Sequence, residues 1–209
     1  MTSDIARCIP RVEDFAVAAD SRARMIHSAV RLLRERGYSG MGFREVVKHS
    51  GAPRGSIYHH FPGGKAQLGV EAIGEFGTFV RDVIVAVAAA HPGDPVGALR
   101  AFIGAWRQIV EAENYHAGCP VVAVGIEEHE DAPQLMEAVV AAFDQWRTAL
   151  AELLTSAGVP ESRATTMATT AIAATEGAVI MCRARRDMRP LDEVAAELEL
   201  GLRSALNPP

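Results

Sequence analysis

Apolar residues recur along this sequence in steps of three and four, which places them on one side of each segment. The alternation of period two that marks a β-strand is almost absent, and glycine or proline interrupts the pattern where a helix is expected to end. The pattern therefore predicts an all-α fold of nine helices. Four of them are expected at residues 21–36, 65–90, 95–114 and 161–185. Two more are expected to end at residue 50 and near residue 128, and the other three are expected to begin at residues 53, 133 and 190.

The stretch between the first and fourth predicted helices is rich in glycine and too broken in period for one long helix. Phe43 and Val46 belong to the apolar stripe of a short helix. Gly51 follows where a left-handed turn residue is wanted, and Pro53 pre-sets φ for the first position of another helix. The pattern predicts a short helix, a tight turn and a second short helix.

The second of these short helices has two different sides. Ile57 and Phe61, four residues apart, form its apolar side. This layout is typical of a helix-turn-helix, whose second helix enters the major groove of DNA. The other side is polar or small, and it consists of Arg54, Gly55, Ser56, Tyr58, His59 and His60.

The run SGAPRGSIYHHFPGGK at residues 50–65 resembles the DNA-binding domain of the TetR family of bacterial transcriptional regulators, and it is similar to the LmrA/YxaF-type branch. The resemblance covers residues 21–70. It implies a TetR-like architecture with a three-helix DNA-binding domain at 21–68 and a larger effector-binding and dimerisation domain at 69–209. The residues before it, 1–20, are expected to form a mobile N-terminal arm.

The polar side and the resemblance together predict the contacts to DNA. Arg54 is expected to reach a guanine edge or a phosphate, and Lys65 is expected to hold a phosphate at the start of the following helix. Gly42 departs from the family pattern, since many members have Thr there. The predicted DNA-binding residues are Arg44, Arg54, Gly55, Ser56, Tyr58, His59 and Lys65.

Charge is distributed unevenly along the chain, whose net charge is −5. Residues 1–68 carry 11 basic and 6 acidic side chains, whereas residues 69–209 carry 10 and 20. A basic N-terminal third suits a polyanion such as DNA, and the acidic remainder indicates a different task.

Cysteine and histidine give little sign of other chemistry. Cys8, Cys119 and Cys182 form no Cys-x-x-Cys pair, which suits a reducing cytoplasm, and no signal peptide or membrane span is visible. His59 and His60 are adjacent and point in different directions on a helix, so no metal or other cofactor is predicted. A redox-sensing regulator that uses Cys119 stays open as an alternative.

The segments after residue 69 carry two further predictions. Aromatic and methionine side chains on the middle helices are core residues or line an apolar cavity, and the resemblance favours an effector pocket in this domain. The residues assigned to it are Phe102, Trp106, Met136, Val140, Phe143 and Met167.

The last two helices combine small and apolar residues and are expected to pair with a second copy. The residues assigned to this interface are Ile172, Val179, Ile180, Leu191, Val194, Leu198 and Leu202.

Together with the resemblance, these patterns lead us to expect a cytoplasmic, homodimeric transcriptional regulator. We expect a repressor that a small apolar or amphipathic effector releases from a palindromic operator. No enzymatic activity is expected, because no nucleophile–base pair or metal constellation is visible. An all-α enzyme that contains the helix-turn-helix, or an architectural DNA-binding protein without a ligand, remains the alternative.

Overall fold

The computed structural model describes residues 20–207, and within that range it contains helices and no strand. The all-α prediction with nine helices is confirmed for these residues. The helices are α1 Ser21–Arg36, α2 Phe43–Ser50, α3 Ser56–His60, α4 Gly64–Ala90, α5 Pro95–Ala112, α6 Pro120–Gly125, α7 Gln134–Ser156, α8 Glu161–Arg185 and α9 Arg189–Leu206.

Side-chain caps explain where two of the helices begin. The Asp20 carboxylate accepts the N–H of Arg22 at 3.2 Å and so caps α1. The Asp94 carboxylate accepts the N–H of Gly97 at 2.8 Å and caps α5. Asp20 is the one residue of the predicted N-terminal arm that the structure describes; residues 1–19 lie outside the described part of the chain.

The described residues divide into two compact units. Unit I comprises residues 20–78 and 117–143, and unit II comprises residues 79–116 and 144–207. The sequence-based boundary at residue 68 does not coincide with this division. The segment 117–143 folds with the helix-turn-helix, although it is distant in sequence. The assignment of DNA binding to 21–68 and of effector binding to 69–209 stays a prediction.

Unit I is built around α1, against which α2, α3 and α6 pack. Arg34 is buried here, and its Nε–H donates to the carbonyl oxygen of Gly118 at 3.0 Å. Most of the rest of this core is apolar, and burying each large apolar side chain contributes about 1.5–3 kcal/mol to stability. It includes Met25, Ala29, Leu33, Val46, Ile57, Phe61, Leu68 and Ile73.

In unit II, α9 packs against α8 and α5. One buried apolar cluster joins the three helices to the end of α7 and to the α7–α8 connection. Leu99, Leu153 and Met167 are partly buried against this cluster. Its buried members are Val96, Leu154, Val159, Ala164 and Leu202.

This packing corrects part of the predicted dimer interface. A contact with a second copy needs accessible side chains, but four of the assigned residues are 9% exposed or less: Ile172, Val179, Leu191 and Leu202. They lie inside unit II, where α5, α8 and α9 pack against one another. Val194 and Leu198 are half-buried, and Ile180 is 50% exposed.

None of the helices in residues 20–207 combines the length and the apolar character needed to cross a lipid bilayer.

Candidate nucleic-acid interface

The helix-turn-helix is formed by α2, the turn after it, and α3. Gly51 ends α2 with φ 64° and ψ 15°, a left-handed conformation that glycine adopts without strain. The predicted role of Gly51 is therefore confirmed. Ile57 and Phe61 are 1% and 0% exposed and hold α3 on α1, so the opposite side of α3 faces outward.

The start of α3 differs from the prediction. The helix begins at Ser56 rather than at Pro53, and the residues between them form a turn. Ser56 closes this turn: its N–H and its Oγ–H donate to the carbonyl oxygen of Pro53 at 3.0 and 2.7 Å. Ala52 precedes Pro53 and has no side-chain oxygen to cap an earlier start, which explains why the helix begins late. The Ser56 hydroxyl hydrogen is thus already used inside the motif.

Five of the seven predicted DNA-binding residues are exposed on α2, on α3 and on the turn between them. Tyr58 is 69% exposed, and its ring packs edge to face on Phe43 with centroids 5.6 Å apart. This contact fixes the orientation of the Tyr58 side chain relative to α2. The five exposed residues are Arg44, Arg54, Gly55, Tyr58 and His59.

Lys65 lies in a different setting from the other predicted contacts. It is half-buried in the first turn of α4, with its Nζ 4.1 Å from the centroid of the Tyr38 ring. Burial lowers the pKa of Lys65, and the Glu127 carboxylate opposes that change. The ammonium is held by an aromatic face rather than free in solvent.

Other basic residues of α1 are used within unit I. Arg22 donates to the Glu71 carboxylate at 2.6 Å, and Nε of Arg24 donates to the carbonyl oxygen of Ser50 at 3.2 Å. With Arg34, which bonds to Gly118, these side chains brace the motif against its neighbours. Part of the positive charge counted in the sequence therefore has a structural role.

A second candidate site lies in unit II. A cavity of about 200 Å³ opens between α5, the end of α7, α8 and α9. Most of its wall is aliphatic, and Arg163 and Glu197 are the charged residues that line it. The full lining is Pro95, Ala98, Leu99, Phe102, Leu150, Leu153, Leu154, Arg163, Met167, Ala168, Thr170, Ala171, Glu197, Leu198, Gly201 and Leu202.

Only two of the six predicted effector residues line this cavity, namely Phe102 and Met167. Trp106 is 2% exposed and lies in the interior of unit II outside the lining. The other three predicted residues belong to unit I, so the sequence-based set needs correction. Met136 and Val140 are 39% and 54% exposed because the buried stripe of α7 runs through other positions, and Phe143 is half-buried. That buried stripe consists of Leu135, Val139, Ala142 and Trp146.

The described cysteines are buried, Cys119 at 5% exposure and Cys182 at 0%. Burial raises the pKa of the Cys182 thiol, although the N–H of Leu191 opposes the change. Both environments disfavour the reactive thiolate or block access to it. Among residues 20–207 no three histidine, cysteine or carboxylate side chains come together as a metal site would require.

Two family models match the chain. The model of bacterial regulatory proteins of the tetR family matches residues 25–72. The model of the C-terminal domain of LmrA/YxaF-like transcriptional regulators matches residues 95–197.

Relatives match over most of their length. An uncharacterized HTH-type transcriptional regulator of Mycobacterium tuberculosis is 38% identical, over 85% of this chain and 91% of that protein. The HTH-type transcriptional regulator LmrA of Bacillus subtilis is 33% identical, over 85% and 94%. Among solved structures, a TetR transcriptional regulator from Legionella pneumophila has the same fold, with a TM-score of 0.80 at 18% identity, covering 88% of this chain and 98% of that one.

The helix-turn-helix geometry, the two family models and the relatives agree. The chain therefore belongs to the TetR family of bacterial transcriptional regulators, with an LmrA/YxaF-like C-terminal domain, and α2 and α3 form its DNA-binding motif.

Proposed function

We propose that the chain is a homodimeric repressor, and that a small apolar or amphipathic effector releases it from a palindromic operator by occupying the cavity of unit II. The apolar cavity is the observation that carries this proposal, because small-molecule sites in proteins are concave and lined mainly by apolar side chains. Operator DNA lies in the bacterial cytoplasm, so the proposal places the chain there.

The DNA contacts of the proposal are the residues exposed on the helix-turn-helix. Arg54 and Arg44 would supply charge for phosphates or guanine edges, and Tyr58 and His59 would donate to phosphate oxygens. Gly55 leaves room for the DNA backbone. Ser56 would accept rather than donate a hydrogen bond, because its hydroxyl hydrogen is bound to Pro53. Lys65 would add one phosphate contact beside α3.

The lining of the cavity indicates the chemistry of the effector. Phe102, Leu150 and Met167 offer an apolar wall, whereas Arg163 and Glu197 are exposed charged residues of the lining. A ligand with an apolar body and one polar group fits both features. A volume of about 200 Å³ suits a small molecule or the apolar part of a larger one.

The dimer contact of the proposal lies on the exposed side of α8, which we name the α8 stripe. It combines small or apolar residues at helical spacing, with Gly177 half-buried in its middle. Gly177 has open space where a β-carbon would point, which suits a close approach by a second helix. The stripe consists of Thr166, Thr169, Ala173, Gly177, Ile180, Met181 and Ala184.

Release from the operator follows if the effector prefers one arrangement of the dimer. Two recognition helices can occupy successive major grooves only at one spacing, about 34–36 Å for half-sites one helical turn apart. An effector that binds better to a dimer with another spacing shifts the population away from DNA by its difference in affinity.

A glycine pair in unit II gives the matched test. Gly201 lines the cavity and Gly104 does not, yet both lie in helices with open space at the β-carbon position. Gly201→Leu should fill the cavity, and Gly104→Leu should leave it open. The probe is anilinonaphthalene sulfonate, an apolar dye with one anionic group.

We expect the parent and Gly104→Leu to bind the dye with enhanced fluorescence and a higher melting temperature. Gly201→Leu should lose both responses and still bind DNA from upstream of its own gene. Equal dye binding by all three proteins would show that the cavity is not the ligand site. Dye binding that never changes DNA affinity would leave a DNA-binding dimer without a regulatory ligand at this place.

A further inference from the structure

A carboxylate from the segment after α6 holds the turn between α1 and α2. Glu127 accepts three hydrogen bonds there. Its Oε1 accepts the N–H of Tyr38 at 2.7 Å, and its Oε2 accepts the N–H and the Oγ–H of Ser39 at 2.9 and 2.5 Å. Hydrogen bonds to an ionised carboxylate are stronger than neutral ones, so this is a specific attachment inside unit I.

The turn is shaped to admit this carboxylate. Gly37 has φ 70°, and a β-carbon at this position would collide with Oε1 of Glu127. A second attachment lies nearby, because Arg34 and Gly118 exchange two hydrogen bonds: Nε–H of Arg34 to the Gly118 oxygen at 3.0 Å, and the Gly118 N–H to the Arg34 oxygen at 3.1 Å. The segment that includes α6 is thus fixed to the end of α1 on both sides.

Tyr38 links this attachment to the start of α4. Its ring carries the Lys65 ammonium on its face, 4.1 Å from the centroid, and meets the His129 ring edge to face at 5.1 Å. A β-carbon at Gly69 would come within 3.1 Å of the same ring, which shows how closely the ring packs on α4. The Lys65 position therefore depends on Tyr38, and the backbone of Tyr38 is held by Glu127.

We propose that Glu127 is a positioning residue for DNA binding: it holds Tyr38, and the Tyr38 ring places the Lys65 ammonium where it contacts a DNA phosphate. The inference rests on the phosphate contact proposed above for Lys65. A lysine side chain has many rotamers, and a fixed aromatic face reduces the conformational freedom lost when the ammonium meets a phosphate.

The negative charge of Glu127 allows the proposal to be tested, because the charge of Glu127 and its positioning role have opposite effects on the affinity for DNA. A carboxylate near DNA repels phosphates, so removing it should strengthen binding if charge alone matters. If Glu127 acts by position, its removal should weaken binding and reduce the number of phosphates engaged. Glu128→Ala is the matched control, because Glu128 is exposed and its replacement removes the same charge one residue away.

The experiment measures anisotropy of a fluorescein-labelled duplex of random sequence over a series of salt concentrations, using the full chain. Lys65→Ala should reduce the slope of log affinity against log salt by about 0.9 for each Lys65 that engages a phosphate. Glu127→Ala should lose most of the same slope, and the double variant should lose no more than Lys65→Ala alone. Glu127→Gln should fall between the parent and Glu127→Ala. Glu128→Ala should bind as tightly as the parent or slightly tighter.

Three results would overturn the proposal. Tighter binding by both Glu127→Ala and Glu128→Ala would mean that Glu127 acts only through its charge. Weakening by Glu127→Ala that persists unchanged in the Lys65→Ala background would mean a general structural role. An unchanged slope for Lys65→Ala would remove the phosphate contact itself, while leaving the repressor proposal to the cavity experiment. If Glu127→Ala fails to fold, Ser39→Ala replaces it in the experiment. This variant removes one hydrogen-bond donor to Glu127 at an exposed position, and it should give a smaller loss of slope.

Discussion

The exposed side of α3 and the α8 stripe are both outward-facing helix surfaces, yet they present opposite chemistry. Beside and on α3, Arg54, Tyr58 and His59 extend charged or hydrogen-bonding groups into solvent. Between Thr166 and Ala184 of α8 the charged residues are Glu176, which is 7% exposed, and Arg183, which is half-buried. The first surface offers groups to a polyanion, whereas the second exposes mainly small and apolar side chains.

The threonines of α8 strengthen this contrast. The hydroxyls of Thr166 and Thr169 donate to the carbonyl oxygens four residues earlier, at 3.0 and 3.1 Å. A hydroxyl that is satisfied by its own helix loses little when water is removed. The difference teaches that exposure alone does not define a partner: the polar side of α3 suits solvated DNA, and the α8 stripe suits another protein surface.

The largest expected effect of a substitution is the loss of the dimer when the α8 stripe is changed. Ala173→Glu places a carboxylate in its middle, and an uncompensated buried charge costs about 3–5 kcal/mol. We expect the variant to sediment as a monomer and to lose operator affinity in parallel. Ala89→Glu makes the same change at an exposed position of α4 and should stay dimeric. A dimeric Ala173→Glu protein would place the interface on another surface.

The next effect concerns the side of the motif that faces DNA. Arg54→Ala should weaken operator binding by about 1–3 kcal/mol if the guanidinium reads a base edge. Arg81→Ala removes the same charge from α4, where Arg81 pairs with Asp82 at 2.6 Å, and it should change DNA affinity little. Fluorescence anisotropy with operator DNA measures both. Equal losses for the two variants would mean that net charge, rather than the surface of α3, governs binding.

A pH series tests the attachment of Glu127 to the α1–α2 turn, and the expected effect on stability is smaller. Burial pushes the pKa of Glu127 upward, but hydrogen bonds from Ser39 and Tyr38 leave it lowered overall. A lowered pKa in the folded state adds stability that is present above the ordinary glutamate pKa and is lost as pH falls through the lowered value.

The melting temperatures of the parent and Glu127→Gln should therefore differ at neutral pH and converge in acid. The change produced by Gly104→Leu, at an uncharged position of unit II, should be independent of pH. A constant difference between the parent and Glu127→Gln across the series would contradict an ionised carboxylate on the α1–α2 turn.

The smallest effect concerns the cysteines in the interior of each unit. Cys119 in unit I and Cys182 on the buried side of α8 should react slowly with Ellman's reagent in a Cys8→Ser background, and rapidly after denaturation. Rapid modification of the native protein, with loss of DNA binding, would instead favour the redox-sensing alternative through Cys119.

The two surfaces also differ in how far the sequence predicts them. The helix-turn-helix is local, because Gly51, Ile57 and Phe61 define the turn and the buried side within a few residues. For that reason the sequence alone predicts which positions of α3 are exposed. The late start of α3 was missed, since it depends on the hydrogen bonds between Ser56 and Pro53.

Unit II was predicted less well for a physical reason. In α8, small and apolar residues lie all round the helix, so spacing cannot tell that Val179 is buried while Ile180 is exposed. In α7, Met136 and Val140 lie beside the buried stripe, and only tertiary packing shows which side faces the core. The contact of Glu127 with Tyr38 joins residues that are distant in sequence, and no local pattern signals it.

Hydroxyl-radical footprinting on the DNA upstream of the chain's own gene tests the central claim most directly. A dimer with two recognition helices predicts two protected half-sites related by a two-fold axis, with centres about 10 base pairs or a multiple of that apart. Ala173→Glu should abolish the paired pattern. A single protected patch for the parent, or two half-sites that persist unchanged in Ala173→Glu, would contradict a dimer held by the α8 stripe and reading DNA through α3.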